Sequence, residues 1–264
     1  MGGLPRSGST VLTALLNQHP DIYASPQSHL VEMYYLLEES IYDSEPWKAG
    51  LLTENTNDLL ASLGNYFYSS IEKPIIIDKN RNWGTPGNVK YAKILNENAK
   101  TIICLRPIAE ILASFVRLAN KNPNNVIDIA IKDDDFYGKY YRSIDDVRCD
   151  YLMRGNGEID RSLLAIATLI QNPKNCHIIW YNDFLLHTQE VLTGVYNFLE
   201  VDNFYNNLNK IKQLDKHKDE DAFGIKDLHT ISSFIRPSKT NPELLLSPYI
   251  MAKYQNCLDF LVSQ

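Results

Sequence analysis

Three short apolar runs interrupt an otherwise mixed chain: Ile75 to Asp78 reads IIID, Thr101 to Leu105 reads TIICL, and His177 to Tyr181 reads HIIWY. Continuous β-branched and aromatic runs of that length predict strands covered on both faces. Helical spacing of apolar positions predicts helices over 10–18, 28–40, 54–71, 88–98, 108–120, 159–171 and 189–199, with Pro20, Pro74, Pro123 and Pro173 punctuating their ends. Strands alternating with helices predict an α/β fold in three layers, a central parallel sheet flanked by helices. Ligands of such sheets sit at the carboxyl ends of the strands. Residues 120–157 and 202–241 fit the alternation poorly, and as long irregular segments they are expected to form lid or acceptor-side loops. No internal repeat and no Gly/Ser- or Pro-rich linker divides the chain, which predicts a single domain over 1–264.

A chain of 264 residues removes roughly 70–75% of its unfolded surface from water, enough for a full core without disulfide or metal staples. With 44% hydrophobic and 22% charged residues, the composition excludes disorder and fibrous repeats. No apolar run approaches the roughly 18 residues of a membrane span, and no basic-then-apolar signal pattern opens the chain. Cys104, Cys149, Cys176 and Cys257 lie far apart, without zinc spacing, and read as reduced thiols of a cytoplasmic protein. Asp133–Asp135 reads as a solvated turn, and no metal is expected. Thirty-two acidic against 26 basic side chains give a net charge of −6, so no overall positive field draws in nucleic acid. An anionic ligand must therefore be held by local groups.

The chain opens with such groups. Gly3 to Thr10 reads GLPRSGST and leads directly into the apolar helical stretch VLTALL. Glycines and small hydroxyl residues at a helix start let backbone N–H groups converge on an anion, and the helix dipole adds to the attraction. The spacing is close to the G-x-x-x-x-G-K-[ST] phosphate loop, but Ser9 stands where the lysine of nucleoside triphosphate enzymes belongs. Arg6 inside the loop supplies a cation instead. A second basic feature follows the strand TIICL: Arg106 ends the run, and Ser114 lies within the helical stretch after it. Arginine offers a planar, permanently charged fork for a phosphate, and a hydroxyl two turns along the helix adds a contact.

The run GLPRSGSTVL resembles the 5′-phosphosulfate loop of sulfotransferases that use 3′-phosphoadenosine 5′-phosphosulfate (PAPS). That resemblance implies a P-loop-like fold, with Arg6, Ser7, Gly8, Ser9 and Thr10 around the phosphosulfate. It also implies that Arg106 and Ser114 grip the 3′-phosphate, although the family's usual Arg-Asn-Pro or Arg-Asp-Pro is here Arg106-Pro107. The segment beginning IIWYNDF is similar to the family's stretch near the adenine and puts Tyr181 there. FGIKDLHTISSFIRPSK resembles the loop that returns over the cofactor, with Arg236 as a further 3′-phosphate ligand and Lys239 as a weaker one. Only Met1 to Gly3 precede Leu4, so the opening strand is expected to be very short or cut at its start.

Sulfuryl transfer builds negative charge on the leaving oxygens, which fixed cations stabilise. Arg6 and Lys79, at the end of the strand IIID, are the expected catalytic cations, with Arg81 a further candidate of undefined role. The acceptor must also lose a proton to a base within hydrogen-bond reach. In HPDIYASPQSHLVEM the position that is glutamate in similar enzymes is Gln27, which leaves His29 as the expected base and Glu32 as its runner-up. His19 reads as a helix-end residue. The acceptor is a small molecule or peptide of unstated kind, and the tyrosines of 136–151 are candidates to line its cleft. Two alternatives compete: a kinase-like P-loop enzyme using Mg-ATP, with Asp78 as its metal-holding carboxylate, and a non-catalytic nucleotide-binding relative.

Overall fold

The computed structural model describes residues 1–50, 55–133, 143–155, 157–215, 218–236 and 240–261. Among the described residues five strands form: β1 (Gly2–Gly3), β2 (Ile22–Ala24), β3 (Ile75–Ile77), β4 (Thr101–Leu105) and β5 (Cys176–Trp180). All pairings are parallel, in the order β1-β4-β5 and, separately, β2-β3. Met1 joins the two groups in a parallel-ladder pattern. Its nitrogen donates to the Asp78 carbonyl at 2.6 Å, and Asn80 N–H donates to the Met1 carbonyl at 3.1 Å. The strands therefore run β2-β3-β1-β4-β5, with their carboxyl ends on one edge.

The run TIICL explains why β4 sits at the centre. Alternate strand residues face opposite sides, and Ile103 and Leu105 enter one buried cluster while Ile102 and Cys104 enter another. The first cluster gathers α6 (Ile108–Lys121), α7 (Val126–Lys132), α8 (Ile144–Met153), α9 (Glu158–Leu169) and α13 (Pro248–Tyr254). The second gathers α1 (Ser9–Leu16), α10 (Tyr181–Leu186) and α11 (Thr188–Leu199). This is the expected three-layer arrangement. A smaller cluster around Tyr34, Leu60, Trp83 and Tyr91 packs α2 (Leu30–Asp43), α4 (Thr56–Phe67) and α5 (Val89–Leu95) at the β3 side. Two short helices, α3 (Glu45–Lys48) and α12 (Asp219–Phe223), complete the set. No helix among the described residues is long and apolar enough to cross a membrane.

Three differences from the expected elements have clear causes. Residues 120–157 are not irregular throughout: their described part holds α7 and α8. The polar residues that read as loop are a buried ion-pair lock. Arg148 donates to both oxygens of Asp128 at 2.7 Å, to Asp145 at 2.7 Å and to Asn120 Oδ1 at 2.5 Å, tying α6, α7 and α8 together. The strand β2 lies where no strand is predicted, because three residues carry no readable alternation. The run HIIWY becomes strand only to Trp180, and Tyr181 opens α10. The described part of 202–241 is irregular apart from α12. The predicted acceptor-side tyrosines of 136–142 and also Asp134, Asp135 and Lys239 lie outside the described residues, while Asp133 caps α7. His19 is buried beyond the end of α1, its Nε2 2.9 Å from the Asp202 carbonyl, which makes it a structural residue.

Candidate functional site

Four neighbouring strands deliver the site along one edge. The loop after β1 turns sharply because Gly3 has φ +127° and lies against β4: a Cβ there would stand 2.2 Å from the Cys104 carbonyl oxygen. Leu4 N–H donates to that same oxygen at 2.8 Å, which fastens the loop to the sheet. Arg6 and Gly8 both adopt positive φ, 59° and 86°, so the chain reverses twice before α1 begins at Ser9. The first N–H groups of α1 have no partner within the helix and open toward the loop's concavity. Ser7 takes no place on the cleft wall. Its buried hydroxyl donates to the Leu4 carbonyl at 2.6 Å and shapes the loop from within.

Arg106 leaves the end of β4 and is 3% exposed. Its guanidinium pairs with Glu110 at 3.0 Å, donates to the Arg6 carbonyl at 2.9 Å and lies over the Tyr181 ring at 4.1 Å. Tyr181 in turn crowds Gly8, where a Cβ would come within 3.0 Å of the ring. Tyr181 thus holds Arg106 and the loop in register, a contact that its expected place beside an adenine does not anticipate. Arg6 Nε donates to Ser114 Oγ at 3.3 Å, and a terminal nitrogen of Arg6 donates to the Leu228 carbonyl. Burial, then the neighbouring Arg106 cation, lower the Arg6 guanidinium to about 10.

Lys79 follows β3 and points toward the loop, its Nζ 3.5 Å from Thr10 Oγ1. Its N–H donates to Ser25 Oγ at 2.8 Å and its carbonyl accepts from Ser28 at 3.1 Å, so the turn carrying Gln27 is clamped beside it. Burial lowers its ammonium to about 8, and the nearby Arg81 cation adds to the effect. The ammonium that the loop lacks at Ser9 is thus supplied from the next strand. Asp78 faces elsewhere, accepting from Tyr68 OH at 2.5 Å and Trp83 Nε1 at 2.6 Å, and is absent from the cleft wall.

These groups share one cleft of about 680 Å³, whose wall includes Arg6, Gly8, Ser9, Thr10, Lys79, Arg106, Ser114, Tyr181 and Arg236. Gln27, His29 and Glu32 line it as well. His29 is exposed at the start of α2. Glu32 accepts from Asn80 at 2.8 Å and Asn82 at 2.7 Å. Arg81 is taken up by Glu158. A further pair escaped the sequence: His229 Nδ1 lies 2.6 Å from Asp219 Oδ1, and His229 N–H donates to Oδ2 at 2.7 Å. Asp219 is 5% exposed, and His229 lines the cleft next to Leu228. A single helical turn, α12, and then coil join the two residues, so no periodicity marks them. Among the described residues no three His, Cys, Asp or Glu side chains gather as a metal site.

The chain matches the family described as Sulfotransferase family over residues 1–205. It belongs to that family. The fold agrees: the sulfotransferase domain from the curacin biosynthetic pathway superposes with a TM-score of 0.64 at 18% identity, covering 99% of this chain and 98% of the other. The sulfotransferase domain from the Synechococcus PCC 7002 olefin synthase gives 0.51 at 19% identity, covering 92% and 90%. No curated protein matches the sequence. In this sulfotransferase-family chain, residues of the 3–10 loop, Arg106 and Ser114 line a single cleft.

Proposed function

We propose that this chain transfers a sulfuryl group from PAPS to a hydroxyl or amine of a small-molecule or peptidyl acceptor. The observation that carries this reading is the convergence of two anion-binding features on one cleft, the loop of residues 3–10 and the Arg106–Ser114 couple 100 residues later, joined by the Arg6–Ser114 hydrogen bond. Two anionic ends of one nucleotide account for both. In this reading the N–H groups at the start of α1, with Arg6 and Lys79, receive the charge that develops as the sulfur–oxygen bond to the 5′-phosphate breaks. Arg106, Ser114 and Arg236 hold the 3′-phosphate. The test is titration with adenosine 3′,5′-bisphosphate against Mg-ATP, followed by an assay with labelled PAPS and pooled acceptors. Preference for Mg-ATP would overturn the donor assignment, and bisphosphate binding without any labelled product would leave a binding protein instead of an enzyme.

Both His29 and His229 reach the cleft, and the Asp219 contact favours His229 as the base. A carboxylate that accepts from Nδ1–H fixes the tautomer whose Nε2 takes a proton, the arrangement that orients imidazole bases elsewhere. As the new oxygen–sulfur bond forms, the acceptor's proton passes to Nε2 and the bridging electron pair stays with the 5′-phosphate. His229→Asn is therefore expected to lower turnover about a hundredfold or more, the ordinary share of general base catalysis, with bisphosphate affinity unchanged. His29→Asn is expected to alter turnover only a few fold. The reverse ranking would return the role to His29.

A further inference from the structure

We infer that Arg117 grips an anionic group of the acceptor, so that this sulfotransferase cleft takes hydroxylated acceptors bearing a carboxylate or phosphate on an apolar body. The inference rests on the proposed donor assignment and extends it to the other half of the cleft. Arg117 lies three residues after Ser114 on α6 and thus on the same helix face. It is half-buried, it lines the cleft, and among the described residues it makes no hydrogen bond or ion pair.

A half-buried guanidinium without a partner is costly, more so with another cation close by. Arg117 has that neighbour, since its charge helps to depress Arg6. The other buried or half-buried cations of the wall are engaged, Arg6 by Ser114 and Leu228, Arg106 by Glu110 and Lys79 by Thr10, and the exposed Arg81 and Arg161 are held by Glu158. The donor's two anionic ends already have Arg6, Lys79, Arg106 and Arg236, which leaves Arg117 as a surplus cation. The cleft that Arg117 lines also has an apolar side. Phe115, Ile127, Leu152, Ile225 and Leu228 belong to one hydrophobic cluster and also line the cleft. The segment carrying Ile225 is pinned there, because Lys226 N–H donates to Asn122 Oδ1 at 2.9 Å at the end of α6. A surplus cation in a cleft with an apolar wall matches an anionic amphiphile, not a sugar or a short alcohol.

The experiment compares ω-hydroxydodecanoate, ω-hydroxydodecyl phosphate and the methyl ester of the acid, each titrated into protein saturated with adenosine 3′,5′-bisphosphate and each assayed with labelled PAPS. The carboxylate, the phosphate or both are expected to bind about tenfold tighter than the ester, as one charge-assisted contact allows. Arg117→Gln is expected to abolish that preference while bisphosphate affinity stays within about threefold, and Arg117→Lys to keep part of it. Equal binding of anions and ester, or binding of none of them, overturns the proposal. So does a tenfold loss of bisphosphate affinity in Arg117→Gln, which would place Arg117 on the donor. Failure of the unaltered protein to bind bisphosphate would instead sink the PAPS reading, and the acid–ester comparison without it would still judge Arg117 separately.

Discussion

Arg106→Gln is expected to weaken adenosine 3′,5′-bisphosphate binding about a hundredfold or more, while adenosine 5′-phosphate loses far less. Truncating one member of a buried, charge-assisted contact costs roughly 2–5 kcal/mol, because the remaining charge is left without compensation. Here the residue left behind is Glu110, whose carboxylate is held by Arg106 at 3.0 Å and by Asn182 at 3.2 Å. Without the guanidinium it would face an incoming phosphate directly. Arg106→Lys keeps the charge but loses the planar fork and its stacking on Tyr181 at 4.1 Å, so it should recover only part of the affinity. Calorimetric titration of both nucleotides reads the outcome. Equal losses for the two nucleotides would mean that Arg106 acts through its bond to the Arg6 carbonyl, by holding the loop, and that the 3′-phosphate is bound elsewhere.

The parts of this site that the sequence reveals are those tied to regular elements. A strand of continuous apolar residues followed by a helix fixes where Arg106 and Ser114 sit, and the glycines of the opening loop announce a tight turn into α1. Lys79 follows for the same reason, since the run IIID makes its strand end unambiguous. Contacts made across the fold leave no such trace. Ser7 looks like its neighbours in the motif, yet its hydroxyl is spent on Leu4. Tyr181 looks like a ligand-facing aromatic, yet one face of its ring carries Arg106. The Asp219–His229 pair depends on a coil whose path is set by Arg6, Asn122 and the α6–α7 turn, none of which is near it in sequence. Charged residues mislead most when they pair in the interior: Arg148 and Asp128 fall in a stretch that reads as irregular and are instead the lock of three helices.

Lys79→Met is expected to make the protein more stable and to remove most of its donor affinity. Burial holds the Lys79 ammonium at about 8, against an ordinary value of 10.5. A pKa depressed on folding means that the charged form is penalised in the folded state. The penalty is complete below pH 8, shrinks as the pH climbs from 8 to 10.5, and is gone above that, so stability contributed by this group rises with pH across that window. At pH 7 the displacement corresponds to about 3 kcal/mol, which an apolar side chain of similar length would recover as a melting temperature several degrees higher. That advantage should fade toward pH 10. Donor binding runs the other way: an anion needs the ammonium, so the affinity of the unaltered protein for the bisphosphate should decline above pH 8, whereas the weak residual binding of Lys79→Met should not follow that decline. Melting curves and titrations over the same pH range separate the two effects. A methionine variant that melts lower at pH 7, or that binds bisphosphate as tightly as before, would mean that Lys79 is held for packing, because a functional cation near a phosphate loop is kept at the expense of stability.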